Sequence, residues 1–184
     1  MKSINTDFPG LVIIEPRVFE DDRGYFFESF HHEKYRGAGI EKLFVQDNES
    51  KSSQGVVRGL HYQLAPWSQA KLVRVIVGSV YDVAVDLRIN SPTYGKWFGV
   101  ELSDQNKKQL YIPRGFAHGF SVLSEFAVFN YKCDQVYRKE AERSINPFDE
   151  KLNIDWMLGG FEPIVSEKDK IAPSFVDAEM NFEF

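Results

Sequence analysis

Apolar and polar positions alternate in short runs through the middle of the chain, and the runs are rich in β-branched and aromatic residues. Lys71 to Val77 and Val80 to Leu87 are two such runs, separated by Gly78-Ser79. Glycine at the first central position is the chemistry of a type II′ turn, so this pair predicts a hairpin. A second hairpin is predicted from Trp97 to Leu102, the polar break Ser103 to Lys108, and Gln109 to Ile112. Phe120 to Leu123 and Phe126 to Tyr137 continue the pattern. Leu11 to Ile14, Gly24 to Phe30 and Leu43 to Val45 are further strand candidates. Strands at about 8–12-residue spacing with turn residues between them point to an antiparallel sandwich or barrel. Helical signals are weak and peripheral. They amount to a short helix over His31 to Ala38, stopped by Gly37 and Gly39, and single turns near Asp149–Lys151 and Ser166–Asp169. The expected fold is mainly β, a jelly-roll barrel or sandwich with short peripheral helices.

Composition sharpens this in three places. No internal repeat or low-complexity linker divides the 184 residues, so one domain over 1–184 is expected. The aromatic share of 15%, with 16 Phe and 8 Tyr, strengthens the sheet reading. Against 22 Lys and Arg stand 27 Asp and Glu, a net charge of −5, which argues against a nucleic-acid partner. A small anionic ligand stays open, because a pocket needs only a few local cations. The lone Cys133 excludes an intramolecular disulfide and a multi-cysteine zinc site; its apolar surroundings predict a buried, inert thiol. The N-terminus has no apolar leader, and no run reaches the roughly 18 apolar residues of a membrane helix. A cytoplasmic protein with no membrane contact is expected.

The chemistry concentrates in a few segments. His31 and His32 lie in a polar stretch and read as solvated. His118 closes the run Pro113-Arg114-Gly115-Phe116-Ala117-His118, similar to the Pro-x-Gly-x-x-His element of the cupin superfamily, a jelly-roll barrel. The other half of that pattern reads His61-Tyr62-Gln63, with Gln63 where metal-binding cupins carry a second histidine. Two imidazoles are too few for a typical zinc or iron site, so no metal is expected. Three further clusters draw attention. Arg23 and Glu28 flank aromatics, Gln46-Asp47-Asn48 follows an apolar run, and Tyr131 and Tyr137 fall on one side of an extended segment. Each also has a plain structural reading: a surface ion pair, a turn, and core tyrosines.

Five motifs in order decide among these readings: Arg58-Gly-Leu-His61-Tyr-Gln63, Lys71-Leu-Val-Arg74, Pro113 to Phe120, Tyr131-Lys132 and Ser166-x-Lys168-Asp169. From about Phe8 to Pro173 the chain closely resembles dTDP-4-dehydrorhamnose 3,5-epimerases. The resemblance implies a cupin-type jelly roll, no metal or organic cofactor, and a homodimer sharing N-terminal strands. It implies a dTDP-linked 4-keto-6-deoxy sugar as substrate, inverted at C3 and C5. His61 then matches the base, Asp169 its carboxylate partner, Tyr131 the acid on the opposite face, and Lys71 the group that stabilises the C4 oxyanion. Arg23, Arg58 and Lys168 match diphosphate contacts, and Tyr137 matches the aromatic that stacks on thymine. Glu28, Gln46, Asp47, Asn48, His118 and Glu142 match further nucleotide or sugar contacts. A single epimerisation, or another nucleotide-linked keto-sugar, would use the same residues. A non-catalytic sugar-binding cupin and a metal-dependent oxygenase are the readings outside this class.

Overall fold

Thirteen strands and two short α-helices build the fold in the computed structural model, which describes residues 1–184. The N-terminal part contains β1 (Lys2–Asn5), β2 (Val12–Glu15), β3 (Val18–Asp21), β4 (Gly24–Phe27) and α1 (His32–Gly37). The middle contains β5 (Gln46–Ser53), β6 (Val57–Gln63), β7 (Lys71–Val77), β8 (Ser79–Asp86) and β9 (Trp97–Ser103). Then follow β10 (Gln109–Ile112), β11 (Phe116–Val122), β12 (Phe126–Cys133), β13 (Glu142–Ser144) and α2 (Glu167–Lys170). One sheet has six strands in the order β1-β2-β10-β7-β12-β5, and a second has five in the order β13-β6-β11-β8-β9. The β3-β4 ribbon pairs with neither. All pairings between these strands are antiparallel. The result is the jelly-roll sandwich that the turn spacing predicts.

The connections differ from the expected hairpins. β7 and β8 lie in opposite sheets, so Gly78 turns a corner from one sheet to the other. Its φ of +81° and a would-be Cβ only 2.2 Å from the Phe126 carbonyl oxygen require glycine there. β9 pairs with β8 while β10 pairs with β2 and β7, so Ser103–Lys108 is also a crossing. Several boundaries also move. The strand expected to reach Tyr137 ends at Cys133, the one expected to reach Phe30 ends at Phe27, and Leu43–Val45 is irregular. Residues 149–151 form a turn and not a helix, whereas the turn at Ser166 is helical and capped by the Ser166 hydroxyl, which accepts from the Asp169 amide.

Both faces of the central strands are covered, which is why β8 and β11 read as near-continuous apolar runs. Between the sheets, Val73, Val75, Leu110 and Phe129 meet Val80, Ala84, Leu102 and Phe120. The outer face of the five-stranded sheet (Leu60, Tyr62, Val83, Val85) is covered by the C-terminal segment through Ile145, Leu152, Trp156 and Phe175. The outer face of the six-stranded sheet (Val12, Ile14, Leu72, Tyr111) is covered by Tyr35 of α1 and Ile40. Burial at about 25 cal/mol per Å² on both faces makes these strands the most stable part of the molecule.

One irregularity matters for function. β6 pairs with β11 as His61↔His118 and Arg58↔Phe120, so three steps on one strand face two on the other. Without this bulge, alternation would send Arg58 and His61 to opposite faces. With it, both line the same interior chamber. Gly59 makes the bulge possible: its φ is +131°, and a Cβ would sit 2.5 Å from Gly119 Cα and 2.9 Å from the His118 oxygen. Gly59→Ala is therefore expected to cost about 3 kcal/mol of stability, read as a lowered urea midpoint. Activity should fall with it, because the change displaces Arg58 and His61 together.

Candidate active site

Toward one end of the sandwich the interior turns polar. From the five-stranded sheet, strand alternation points Asp82 and His118 inward beside Ala84 and Phe120; the bulge adds Arg58 and His61. From the six-stranded sheet, register places Lys71, Cys133 and Gln46 in one row and Val73, Tyr131 and Asn48 in the next. Arg58, His61, Lys71, His118 and Tyr131 line a chamber of about 140 Å³. His61, Lys71 and Tyr131 also line an adjoining space of about 130 Å³ with Tyr137 and Glu142. A third, of about 330 Å³, runs from Arg58 and His61 to Lys168 and Asp169. The imidazole of His61 borders all three. Two larger clefts, of about 620 and 530 Å³, lie at the N-terminal ribbon and contain none of these groups.

The His61 Nε2–H donates to Asp169 Oδ1 at 2.6 Å, with Asp169 almost fully buried. Burial alone would raise the Asp169 carboxyl, but bonds from His61, Ser166 and the Gly59 amide hold it below the ordinary carboxylate range. An ionised carboxylate only accepts, so the proton resides on Nε2 and Nδ1 is the basic nitrogen. A second pair lies deeper: His118 Nε2–H donates to Asp82 Oδ2 at 2.8 Å. Burial pushes the His118 imidazole below its usual value despite the opposing pull of Asp82. His118 is then neutral with Nδ1 as an acceptor, suited to a hydroxyl. Asp82 Oδ1 is buried behind His118 without a hydrogen-bond partner in the chain.

Tyr131 faces this wall from the opposite sheet. Burial raises its phenol above the ordinary range, so it holds its proton at neutral pH. The Lys71 ammonium lies 5.7 Å from the Tyr131 ring centroid; burial lowers its pKa, and the charges of Asp82 and Glu142 oppose that. Arg58 is oriented by Ser52, whose hydroxyl accepts from Nε at 2.9 Å. At the rim, Lys168 Nζ bonds Glu142 Oε2 at 2.6 Å, and the Tyr137 hydroxyl donates to the same oxygen at 3.1 Å. Cys133 is buried, its thiol pushed up to about 11 mainly by that burial, in agreement with the inert thiol expected.

Nine of the fourteen expected residues line these spaces, along with Gln46 and Asn48 in the rows just described. The exceptions are informative. Asp47 lies on the outer face of its strand, where its carboxylate accepts from Lys132 Nζ at 2.8 Å. Side-chain alternation separates it from Gln46 and Asn48, a consequence hidden while the segment is read as a turn. Arg23 and Glu28 belong to the β3-β4 ribbon and the segment just after it, and pair locally with Asp21 and Lys34. Within one chain they do not reach the His61 chamber. Tyr131 and Tyr137 do border one space, although the strand breaks between them. Asp82, Ser52 and Gln63 were not picked out as site residues; Asp82 sits in a run of valines that reads as plain core.

An imidazole and a phenol on opposing walls, with a lysine beside the phenol, give this cupin-type jelly roll proton-exchanging groups on both sides of one chamber. Comparison with known proteins gives the particular kind. The chain belongs to the dTDP-4-dehydrorhamnose 3,5-epimerase family, whose sequence model matches residues 5–177. It is 53% identical over 180 residues to the dTDP-4-dehydrorhamnose 3,5-epimerase of Shigella flexneri, covering 97% of this chain and 98% of that one. The crystal structure of the Elizabethkingia anophelis enzyme of that name superposes with a TM-score of 0.91 at 56% identity, covering 96% and 97%. A dTDP-6-deoxy-D-glucose-3,5-epimerase from Legionella pneumophila, solved with dTDP-4-keto-L-rhamnose, has a TM-score of 0.93 at 50% identity, covering 100% and 98%.

Proposed function

We propose that this protein, acting as one domain over residues 1–184, inverts C3 and C5 of dTDP-4-dehydro-6-deoxy-D-glucose to give dTDP-4-dehydro-L-rhamnose. The observation that carries the reading is the placement of His61 and Tyr131 on opposite sheets, lining one chamber. The C4 ketone acidifies the hydrogens on both neighbouring carbons, because loss of either leaves an enolate. In the gluco configuration those two hydrogens lie on the same face of the ring. One base can therefore serve both carbons, and one acid on the other wall can return both protons.

His61 Nδ1 takes the proton while Asp169 stabilises the imidazolium that forms. Lys71 supplies positive charge to the developing C4 oxyanion, an interaction commonly worth about 10²–10³ in rate. Tyr131 delivers a proton from the opposite side, and His118, held neutral by its surroundings, accepts from a sugar hydroxyl. Arg58 and Lys168 take the diphosphate in charge-assisted bonds, with Lys168 exchanging its Glu142 partner for the more highly charged phosphates. Tyr137, half exposed at the rim, offers its ring to the thymine. Every step runs through side chains of the chain itself.

Arg23 and Glu28 fit this reading through a second copy. The β3-β4 ribbon exposes Phe19, Tyr25 and Phe26 and has no sheet neighbour in its own chain. An isolated two-stranded ribbon with an aromatic surface is marginal alone and suits burial against a partner. In a homodimer that shares these strands, Arg23 and Glu28 would complete the partner's site. No helix is long and apolar enough to cross a membrane, and a charged nucleotide sugar as substrate fits a cytoplasmic location.

The test is turnover in D₂O. Product should carry two deuterons, one at C3 and one at C5, measured by NMR and mass spectrometry. Label at one carbon alone would mark a single epimerisation, and label at neither would remove proton transfer as the reaction.

A further inference from the structure

Tyr137 stands on a segment with no regular structure. The strand that should carry it ends at Cys133, and the next element begins at Lys139. Four consecutive residues there nevertheless have backbone groups bonded in turn to glutamine side chains. Gln69 Nε2 donates to the Gln135 carbonyl at 2.7 Å. Gln135 Oε1 accepts from the Val136 amide at 2.9 Å, and Gln46 Oε1 accepts from the Tyr137 amide at 2.9 Å. Gln63 makes the largest share: Nε2 donates to the carbonyls of Trp67 at 2.7 Å and Val136 at 3.3 Å, and Oε1 accepts from the Arg138 amide at 2.6 Å. A primary amide carries the donor and acceptor of a peptide, so these side chains replace the strand ladder that the segment lacks.

Gln63 is the only one of the four that is almost fully buried, 4% exposed, and it bonds on both sides of Tyr137. We infer that Gln63 is a positioning residue that holds the Tyr137 ring where a nucleobase can stack, and so sets affinity for the nucleotide end of the substrate without acting in the proton transfers. The inference rests on the proposed nucleotide-sugar reading and adds the means by which its base platform is held in place. Losing these bonds lets residues 135–138 sample many conformations. A stacking surface that must be ordered on binding loses affinity accordingly.

The experiment compares the wild-type protein, Gln63→Met, Tyr137→Ala and the double variant, with dTDP and inorganic pyrophosphate as calorimetric probes and full substrate for kinetics. Methionine keeps the length and removes all three bonds. Gln63→Met should weaken dTDP about tenfold, in line with base stacking on an aromatic. Pyrophosphate affinity should be unchanged, KM should rise, and kcat at saturation should stay within about threefold. The double variant should bind dTDP no more weakly than Tyr137→Ala, because both changes remove one interaction. Gln63→Met binding dTDP like wild type overturns the inference; so does an equal loss for pyrophosphate or a matching fall in kcat, which would mark a general structural role. If wild type binds dTDP no better than pyrophosphate, the nucleotide reading itself fails. Should Gln63→Met not fold, Gln69→Ala carries the test. It should weaken dTDP about threefold with pyrophosphate unchanged, and no loss overturns the inference.

Discussion

Replacing His61 with asparagine is expected to stop both epimerisation and solvent exchange, with kcat down about 10⁴-fold, because it removes the proposed base. Asp169→Asn should come close to it by a different route. The carboxylate can only accept, which keeps the proton on His61 Nε2 and the lone pair on Nδ1. A carboxamide can turn its NH₂ toward Nε2, and the proton then moves to the nitrogen that must act as base. The 2.6 Å contact and the buried setting make that tautomer exchange costly to evade. Folding should also register the change. Because the Asp169 carboxyl is lowered in the folded protein, its stabilisation is complete above the ordinary carboxylate range and fades as pH falls through the lowered value. Asp169→Asn should flatten that acid limb in a plot of melting temperature against pH. Rapid exchange of the C3 and C5 hydrogens by His61→Asn, measured by NMR in D₂O, would remove His61 from the role.

How far such arguments could be made from the sequence depends on what each segment buries. β7, β8 and β12 were legible because valines and aromatics fill their inward positions. β5 was not, since its inward residues Gln46, Asn48, Ser50 and Ser52 face the site and share one polar texture with its outward ones. β6 was obscured by its bulge, which breaks the two-residue period at the place where Arg58 and His61 must share a face. Gly78 marked a turn correctly, but a turn residue carries no information on which sheet receives the next strand, and a corner was read as a hairpin. His61, Asp169 and Tyr131 were singled out by spaced motifs and not by periodicity. Asp169 comes from a short helix 108 residues beyond His61, a pairing no local pattern could propose. Arg23 and Glu28 show the converse: the motif marks them, yet one chain alone gives them no place beside His61.

Tyr131→Phe separates the two halves of the reaction. The variant should lose product formation by about 10²–10³-fold, the usual worth of a positioned general acid, while hydrogen exchange on the His61 side persists. Phenylalanine fills the same volume and keeps the ring that meets Phe129 at 6.1 Å and the Lys71 ammonium at 5.7 Å, so the walls and the oxyanion charge remain in place. The enolate can still form, but it can be reprotonated only from the face it came from, which returns substrate carrying deuterium. The wild-type phenol suits its role because burial raises it above the ordinary range, keeping it protonated across neutral pH. The expected signature is therefore deuterated substrate accumulating without inverted product. Inversion at the wild-type rate would place the acid elsewhere, and loss of exchange together with inversion would show that Tyr131 holds the substrate and does not protonate it.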